Sequence, residues 1–160
     1  MEAQMRLLLF ALEEERYGVR IEHVRSVERL GKLNSVPRTP PFIAGIMTVR
    51  NEVIPVIDLR QRLGFAPQPP TPQARVIIVE MGEIVAGLWV DRVIDLVEVA
   101  QQAVSTPPPL ISATAGRFVE GAVLYRDEPL ILLDLSKTLE PTESAALSAM
   151  MQQEQLSPDA

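Results

Sequence analysis

The chain contains no cysteine. That absence excludes a disulfide framework and any thiolate metal site. It has a single histidine, His23, flanked by Glu22 and Val24 with no second ligand at metal spacing, so a surface histidine is the expected reading. No serine stands in a nucleophile-elbow context, and no glycine loop of the phosphate-cradling kind occurs. Aromatic residues make up only 4% of the chain and the net charge is −6, a poor composition for binding nucleic acid. No apolar stretch approaches the roughly 20 residues of a membrane span. The start, Met1-Glu2-Ala3-Gln4, lacks a basic region, and the apolar run Leu7 to Leu12 is too short for a signal peptide, so a soluble cytoplasmic protein is expected. With the machinery of catalysis missing, a binding module without cofactor or metal is favoured over an enzyme.

What the chain does have is apolar residues, at 47% of 160 positions. A domain of this size buries roughly 70% of its unfolded surface, so a substantial core is available. The pattern centres on Phe42 to Gly64, FIAGIMTVRNEVIPVIDLRQRLG. β-Branched residues dominate both sides of the polar corner Arg50-Asn51-Glu52, so the flanks read as strands of a hairpin. Asn51 tolerates positive φ and suits a tight turn, which lifts Arg50 out of the sheet to where a partner can recognise it.

The same pattern returns 76 residues later, from Phe118 to Leu139. Seven of 22 positions are identical in register: Phe42/Phe118, Gly45/Gly121, Arg50/Arg126, Glu52/Glu128, Asp58/Asp134, Leu59/Leu135 and Leu63/Leu139. Roughly one or two identities are expected at average residue usage. Most other positions exchange apolar for apolar. A fainter repeat lies upstream, where Leu7-Leu8-Leu9-Phe10 and Tyr17-Gly18-Val19 resemble Val76-Ile77-Ile78-Val79 and Ala86-Gly87-Leu88. The chain therefore reads as two copies of one β-rich unit, about 7–66 and 75–140. The plainer alternative is that any two hairpins look alike.

Leu7 to Leu12 predicts a strand buried on both sides. The spacing of Val24, Val27 and Leu30 fits a helical turn or a bent strand equally. Lys32 to Phe42 is a loop given direction by Pro37, Pro40 and Pro41. Its apolar Leu33 and Val36 either tuck beneath the loop or form a patch for a partner. Phe65 to Gln73, with four prolines, is a stiff linker. Arg75 to Glu80 and Ile84 to Val90 predict a hairpin closed near Gly82, with Trp89 in the core. Thr106 to Leu110 is a second proline-rich loop. Thr142 to Met151 has helix propensity, and Gln152 to Ala160 frays. Asp58 and Asp134 follow apolar runs at equivalent repeat positions. They are either a carboxylate pair for acid–base chemistry or, as favoured here, two caps of the short helices that follow.

These residues carry a resemblance. Tyr17-Gly18-Val19 with Ile21 and Val24, then Pro40-Pro41-Phe42-Ile43-Ala44-Gly45, then Val53-Ile54-Pro55-Val56-Ile57-Asp58-Leu59-Arg60, then Gly87-Leu88 with Val90-Asp91 and Val93, resemble the CheW family of chemotaxis coupling proteins. The resemblance runs from about Leu7 to Leu139. It implies a mainly β fold of two small five-stranded, SH3-like β-barrels that share an inner hydrophobic core, with short helices, across residues 1–140. The N-terminal strand is then free to pair with the second barrel, and 141–160 is a C-terminal helix and tail. It also implies a non-enzymatic adaptor between the regulatory domain of a CheA-type histidine kinase and the cytoplasmic tip of methyl-accepting chemoreceptors, at receptor arrays on the inner membrane face.

On this resemblance the receptor-binding residues are Arg50, Gly45 and Asn51, and the kinase-binding residues are Leu30 and Leu33. Arg126 is a structural echo of Arg50 with no role assigned. Two positions depart from the family pattern. Asn-Leu-Arg-Gly is here Thr48-Val49-Arg50-Asn51, and a glutamate between two valines is here Ser26. Both are expected near contact surfaces. They leave open a paralogue that binds a single partner, or competes for one, in a pilus or second-messenger pathway. The remaining alternative, a small-molecule-binding or catalytic barrel, would use Asp58 and Asp134.

Overall fold

The structure, a computed structural model, describes residues 3–105 and 118–139. The loop expected at Thr106 to Leu110 and the helix and tail expected beyond Thr142 lie outside the described residues. Among the described residues ten strands form in chain order. The first five are β1 (Gln4–Leu12), β2 (Glu15–Arg20), β3 (Val24–Arg29), β4 (Ile43–Val49) and β5 (Glu52–Asp58), followed by the one-turn helix α1 (Leu59–Arg62). The next five are β6 (Arg75–Met81), β7 (Ile84–Val90), β8 (Arg92–Ala100), β9 (Val119–Tyr125) and β10 (Glu128–Leu133), followed by α2 (Leu135–Thr138). The spacing of Val24, Val27 and Leu30 resolves as a 3₁₀ turn at Ile21–His23 leading into β3, which then alternates half-buried and exposed.

The strands make two five-stranded sheets, ordered β8-β1-β2-β10-β9 and β3-β6-β7-β5-β4. Neither sheet belongs to one copy of the repeat. The hairpin β1–β2 of the first copy sits between β8 and β10 of the second, and the hairpin β6–β7 of the second sits between β3 and β5 of the first. The exchange is therefore reciprocal and moves a whole hairpin, more than the single strand expected. Its seams are the two parallel pairings among the described strands, Leu130–Leu132 of β10 with Arg16–Gly18 of β2, and Val56–Asp58 of β5 with Gly87–Trp89 of β7.

The repeat holds down to single hydrogen bonds. Asp58 N–H donates to the Phe42 carbonyl at 2.7 Å, and Asp134 N–H to the Phe118 carbonyl at 2.7 Å. Each sheet curls until its ends meet through one residue pair. Asn34 and Ile46 exchange two backbone hydrogen bonds of 2.9 Å, and Ser105 and Ala122 exchange two of 2.8 Å. These bridges, not a continuous strand pairing, bring the edges of each barrel together.

The core follows from strand alternation. Leu7 and Leu9 of β1 point into one barrel with Val97, Val99, Leu130 and Leu132. Val76 and Ile78 of β6 point into the other with Met47, Ile54 and Val56. The alternate residues Leu8, Phe10 and Leu12, with Ile77 and Val79, meet between the sheets in a shared cluster with Ile57, Leu59, Leu88 and Leu133. This is why Leu7 to Leu12 reads as an unbroken apolar run: both of its faces are inside. Trp89 is half-buried against the second barrel's cluster.

Candidate partner-binding site

The site is built on the β4–β5 turn. Val49 pairs with Glu52, leaving Arg50 and Asn51 as a two-residue loop. Both have positive φ, +49° and +67°, as the hairpin turns that match strand twist require. The expectation placed only Asn51 in this conformation; Arg50 shares it. A left-handed conformation costs a non-glycine residue about 1–2 kcal/mol, so the barrel holds the arginine in place against local preference. Arg126 and Asp127 repeat the geometry at +52° and +65°.

The Arg50 side chain is 73% exposed, and its Nη1 lies 3.0 Å from Oε2 of Glu28 on β3. That oxygen has no directed hydrogen bond, so the contact is an ion pair by proximity alone. A second link ties the tip to β3: Arg25 reaches Glu52 at 2.5 Å and Glu80 at 2.9 Å. Hydrogen bonds to Glu80 and Glu52 hold the Arg25 pKa above its ordinary value. The reciprocal bond holds Glu80 below the usual carboxylate range. Between β3, the following loop and the tip lies an open groove of about 370 Å³, lined among others by Glu28, Arg29, Lys32, Met47, Thr48 and Arg50.

The other expected site residues fall around this groove in different ways. Asn51 is exposed at the tip. Leu30 and Leu33 are half-buried and pack on the cluster of Met47, Ile54, Val56, Val76 and Ile78. The loop thus tucks its leucines in while part of each stays accessible. Gly45 is buried, with φ +148°, and a Cβ there would stand 2.7 Å from the Asn34 carbonyl oxygen. The missing Cβ lets the closing bridge approach. Gly121 serves the other barrel in a similar way: a Cβ there would stand 2.7 Å from the Ser105 carbonyl oxygen. Gly45→Ala is expected to cost about 2–4 kcal/mol, combining backbone strain with the clash. A chemical melt checks this, and an unchanged midpoint would remove the bridge as the reason for the glycine. The Oγ of the half-buried Ser26 is itself buried without a hydrogen-bond partner.

Asp58 and Asp134 are the two helix caps expected of them. Asp58 is buried and accepts from Arg60 N–H at 3.1 Å and Gln61 N–H at 3.4 Å, capping α1. Asp134 accepts from Lys137 N–H at 3.2 Å and the Ser136 hydroxyl at 2.6 Å, capping α2. Each carboxylate is spent on its own helix, in its own sheet. His23 is half-buried beside a smaller cavity of about 260 Å³ with Arg20, Glu120 and Asp134, where Arg20 and Glu120 pair with each other. Among the described residues no group of three or more His, Cys, Asp or Glu could hold a metal ion, and no helix is long and apolar enough to cross a membrane.

Two residues of α1 escaped the sequence reading. Arg60 is buried and joins Glu13, Asp91 and the Ala66 carbonyl. The Arg62 guanidinium lies 4.3 Å from the ring centres of both Phe42 and Phe118, the paired phenylalanines of the repeat. The repeat comparison hides them, because their second-copy positions are Ser136 and Thr138.

Comparison with known proteins agrees with this architecture. Residues 6–143 match the family model described as the CheW-like domain. Protein FrzA of Myxococcus xanthus is 34% identical over 141 residues, 87% of this chain and 88% of that one. The chemotaxis protein CheW of Bacillus subtilis is 27% identical over 139 residues, 87% and 89% of the two chains. Among solved structures, the scaffolding protein TtCheW of Thermoanaerobacter tengcongensis superposes with a TM-score of 0.80 at 33% identity, covering 89% of this chain and 92% of that one. With the duplicated barrels, the reciprocal hairpin exchange and a family match over most of its length, this chain belongs to the CheW-like family of chemotaxis scaffold proteins.

Proposed function

We propose that the chain is a non-enzymatic adaptor that couples chemoreceptors to a CheA-type histidine kinase at receptor arrays on the cytoplasmic side of the membrane. The observation that carries the receptor half of this reading is Arg50. It is held in a disfavoured backbone conformation at a hairpin tip, exposed, beside a groove. An arginine so placed offers a fixed fork of donors to a carboxylate or carbonyl on a helical receptor tip. Asn51 shapes the surface beside it. Gly45 acts indirectly, by closing the barrel on which the hairpin stands. Leu30 and Leu33, on the adjacent loop, are the assigned kinase contact, an apolar anchor whose accessible part meets the regulatory domain.

The test is a binding experiment with a receptor cytoplasmic fragment and a kinase regulatory domain, separately and together. A ternary complex is expected. Arg50→Glu is expected to keep the native circular dichroism spectrum and to weaken receptor binding by about 10–100-fold, the range of an arginine hot spot, without weakening kinase binding. Wild-type receptor affinity in that variant would refute the assignment. A second reading, a paralogue that serves one partner in another pathway, is favoured by the Thr48-Val49-Arg50-Asn51 sequence at the groove. It predicts one binary complex, with the receptor fragment or the kinase domain alone, and no ternary one.

A further inference from the structure

The Arg50 groove is basic in an acidic protein. Arg29, Lys32 and Arg50 line it against the single carboxylate of Glu28, while the whole chain carries −6. No ion pair engages Arg29 or Lys32 among the described residues. Arg29 also stands directly opposite Arg75 across the β3–β6 pairing, like charge against like. The other carboxylates near the tip, Glu52 and Glu80, are already held by Arg25. A surface of this kind attracts a negatively charged partner and steers its approach.

Within this basic rim Glu28 has an unusual position. Its side chain is only 22% exposed, and Oε2 sits 3.0 Å from Arg50 Nη1 without a directed hydrogen bond. The pair is close enough to occupy the arginine and too poorly aligned to hold it firmly. An exposed arginine in such a contact gains little from it.

We infer that Glu28 is a built-in competitor for Arg50, an internal carboxylate that stands where a partner's carboxylate binds, and that the partner segment is an acidic helix whose charge matches Arg29, Lys32 and Arg50. The inference rests on the receptor reading above and adds the chemistry of the contact and a residue that sets its strength. Binding exchanges one carboxylate for another at Arg50, so the apparent affinity is lowered by the internal contact that must be given up. Glu28 also raises selectivity. A weakly charged or apolar partner cannot displace it, whereas a segment presenting a well-oriented carboxylate can.

The experiment measures affinity of the full chain for a receptor cytoplasmic fragment by calorimetry at two salt concentrations. Glu28→Gln is expected to tighten binding three- to tenfold, and Glu28→Ala serves the same purpose should the amide perturb β3. In an Arg50→Gln background the same substitution is expected to give no gain, because the competitor then has nothing to compete for. Arg29→Gln with Lys32→Gln is expected to weaken binding and flatten its salt dependence. An equal gain from Glu28→Gln in both backgrounds would mean only a general charge effect and would overturn the inference, as would no gain in either. If the wild type and Glu28→Gln both fail to bind the fragment at low salt, the receptor reading itself falls, and this inference with it.

Discussion

Cutting the backbone in the proline-rich linker, between Gln68 and Pro69, is expected to give two fragments that are each unfolded alone and that assemble into the native fold when mixed. The first fragment carries β1 to β5 and the second β6 to β10, yet each sheet draws strands from both. Without its partner the first fragment keeps two hairpins, β1–β2 and β4–β5, and a strand, β3, that pairs only with β6. Isolated hairpins are marginal in water. Leu7, Leu9, Phe10, Ile54, Val56 and Ile57, all essentially inaccessible in the intact chain, would lose the residues that cover them. At about 1.5–3 kcal/mol for each large apolar side chain, that loss of roughly 10 kcal/mol or more is comparable with the whole stability of a domain. Mixing restores every strand partner, since the linker supplies none. Circular dichroism and amide NMR read the outcome directly. A fragment that shows dispersed, native-like signals by itself would overturn the reciprocal exchange of hairpins.

That exchange marks the limit of what the sequence discloses. Hairpins are local, so their strands, turns and closing residues are written in short stretches: Arg50-Asn51, Arg126-Asp127 and Gly82 all stand at turns. The caps are equally local, because an aspartate at the end of a strand needs only the next turn of backbone to act on. The repeat disclosed that two similar units exist. It could not say which β1–β2 hairpin joins which sheet, because a parallel pairing such as β2 with β10 spans more than 100 residues and leaves no local pattern. The site shows the same division. Arg50 was legible from its corner and from the family resemblance. Its ion pair with Glu28 was not, since β3 and β4 stand at opposite edges of the second sheet and meet only where it curls closed at Asn34 and Ile46. Gly45 was legible as a special position. The reason for it, the Asn34 carbonyl of a loop 11 residues upstream, was not.

Arg60 ties the β1–β2 turn, the linker and the β7–β8 junction together through one side chain, and Arg60→Met is expected to cost about 2–4 kcal/mol. The side chain is 5% exposed. Its Nη1 donates to Asp91 at 2.7 Å at the β7–β8 junction, Nη2 to Glu13 at 2.7 Å in the β1–β2 turn, and Nε to the Ala66 carbonyl at 3.0 Å in the linker. Glu13 N–H donates to the same Asp91 carboxylate at 2.7 Å, so the turn and the junction are locked to one another as well. Burial works against the guanidinium charge, but the hydrogen bond to Glu13 and the charges of Asp91 and Glu13 outweigh it and hold the pKa above its ordinary value. Methionine fills much of the stem's volume and leaves the two carboxylates facing each other. Glu13 is about half exposed and water can reach it, which keeps the cost below that of breaking a fully buried pair. For a chain of this size the loss corresponds to a fall in Tm of about 6–12 °C. Arg60→Lys separates charge from geometry: an ammonium cannot span all three acceptors, so it should recover less than half of the loss. In a double-mutant cycle Asp91→Asn should cost much less in the Arg60→Met background than in the wild type. Equal costs in the two backgrounds would mean that the arginine stabilises through packing alone, and the two sheets would then owe their junction to the shared core and to Arg62 between Phe42 and Phe118.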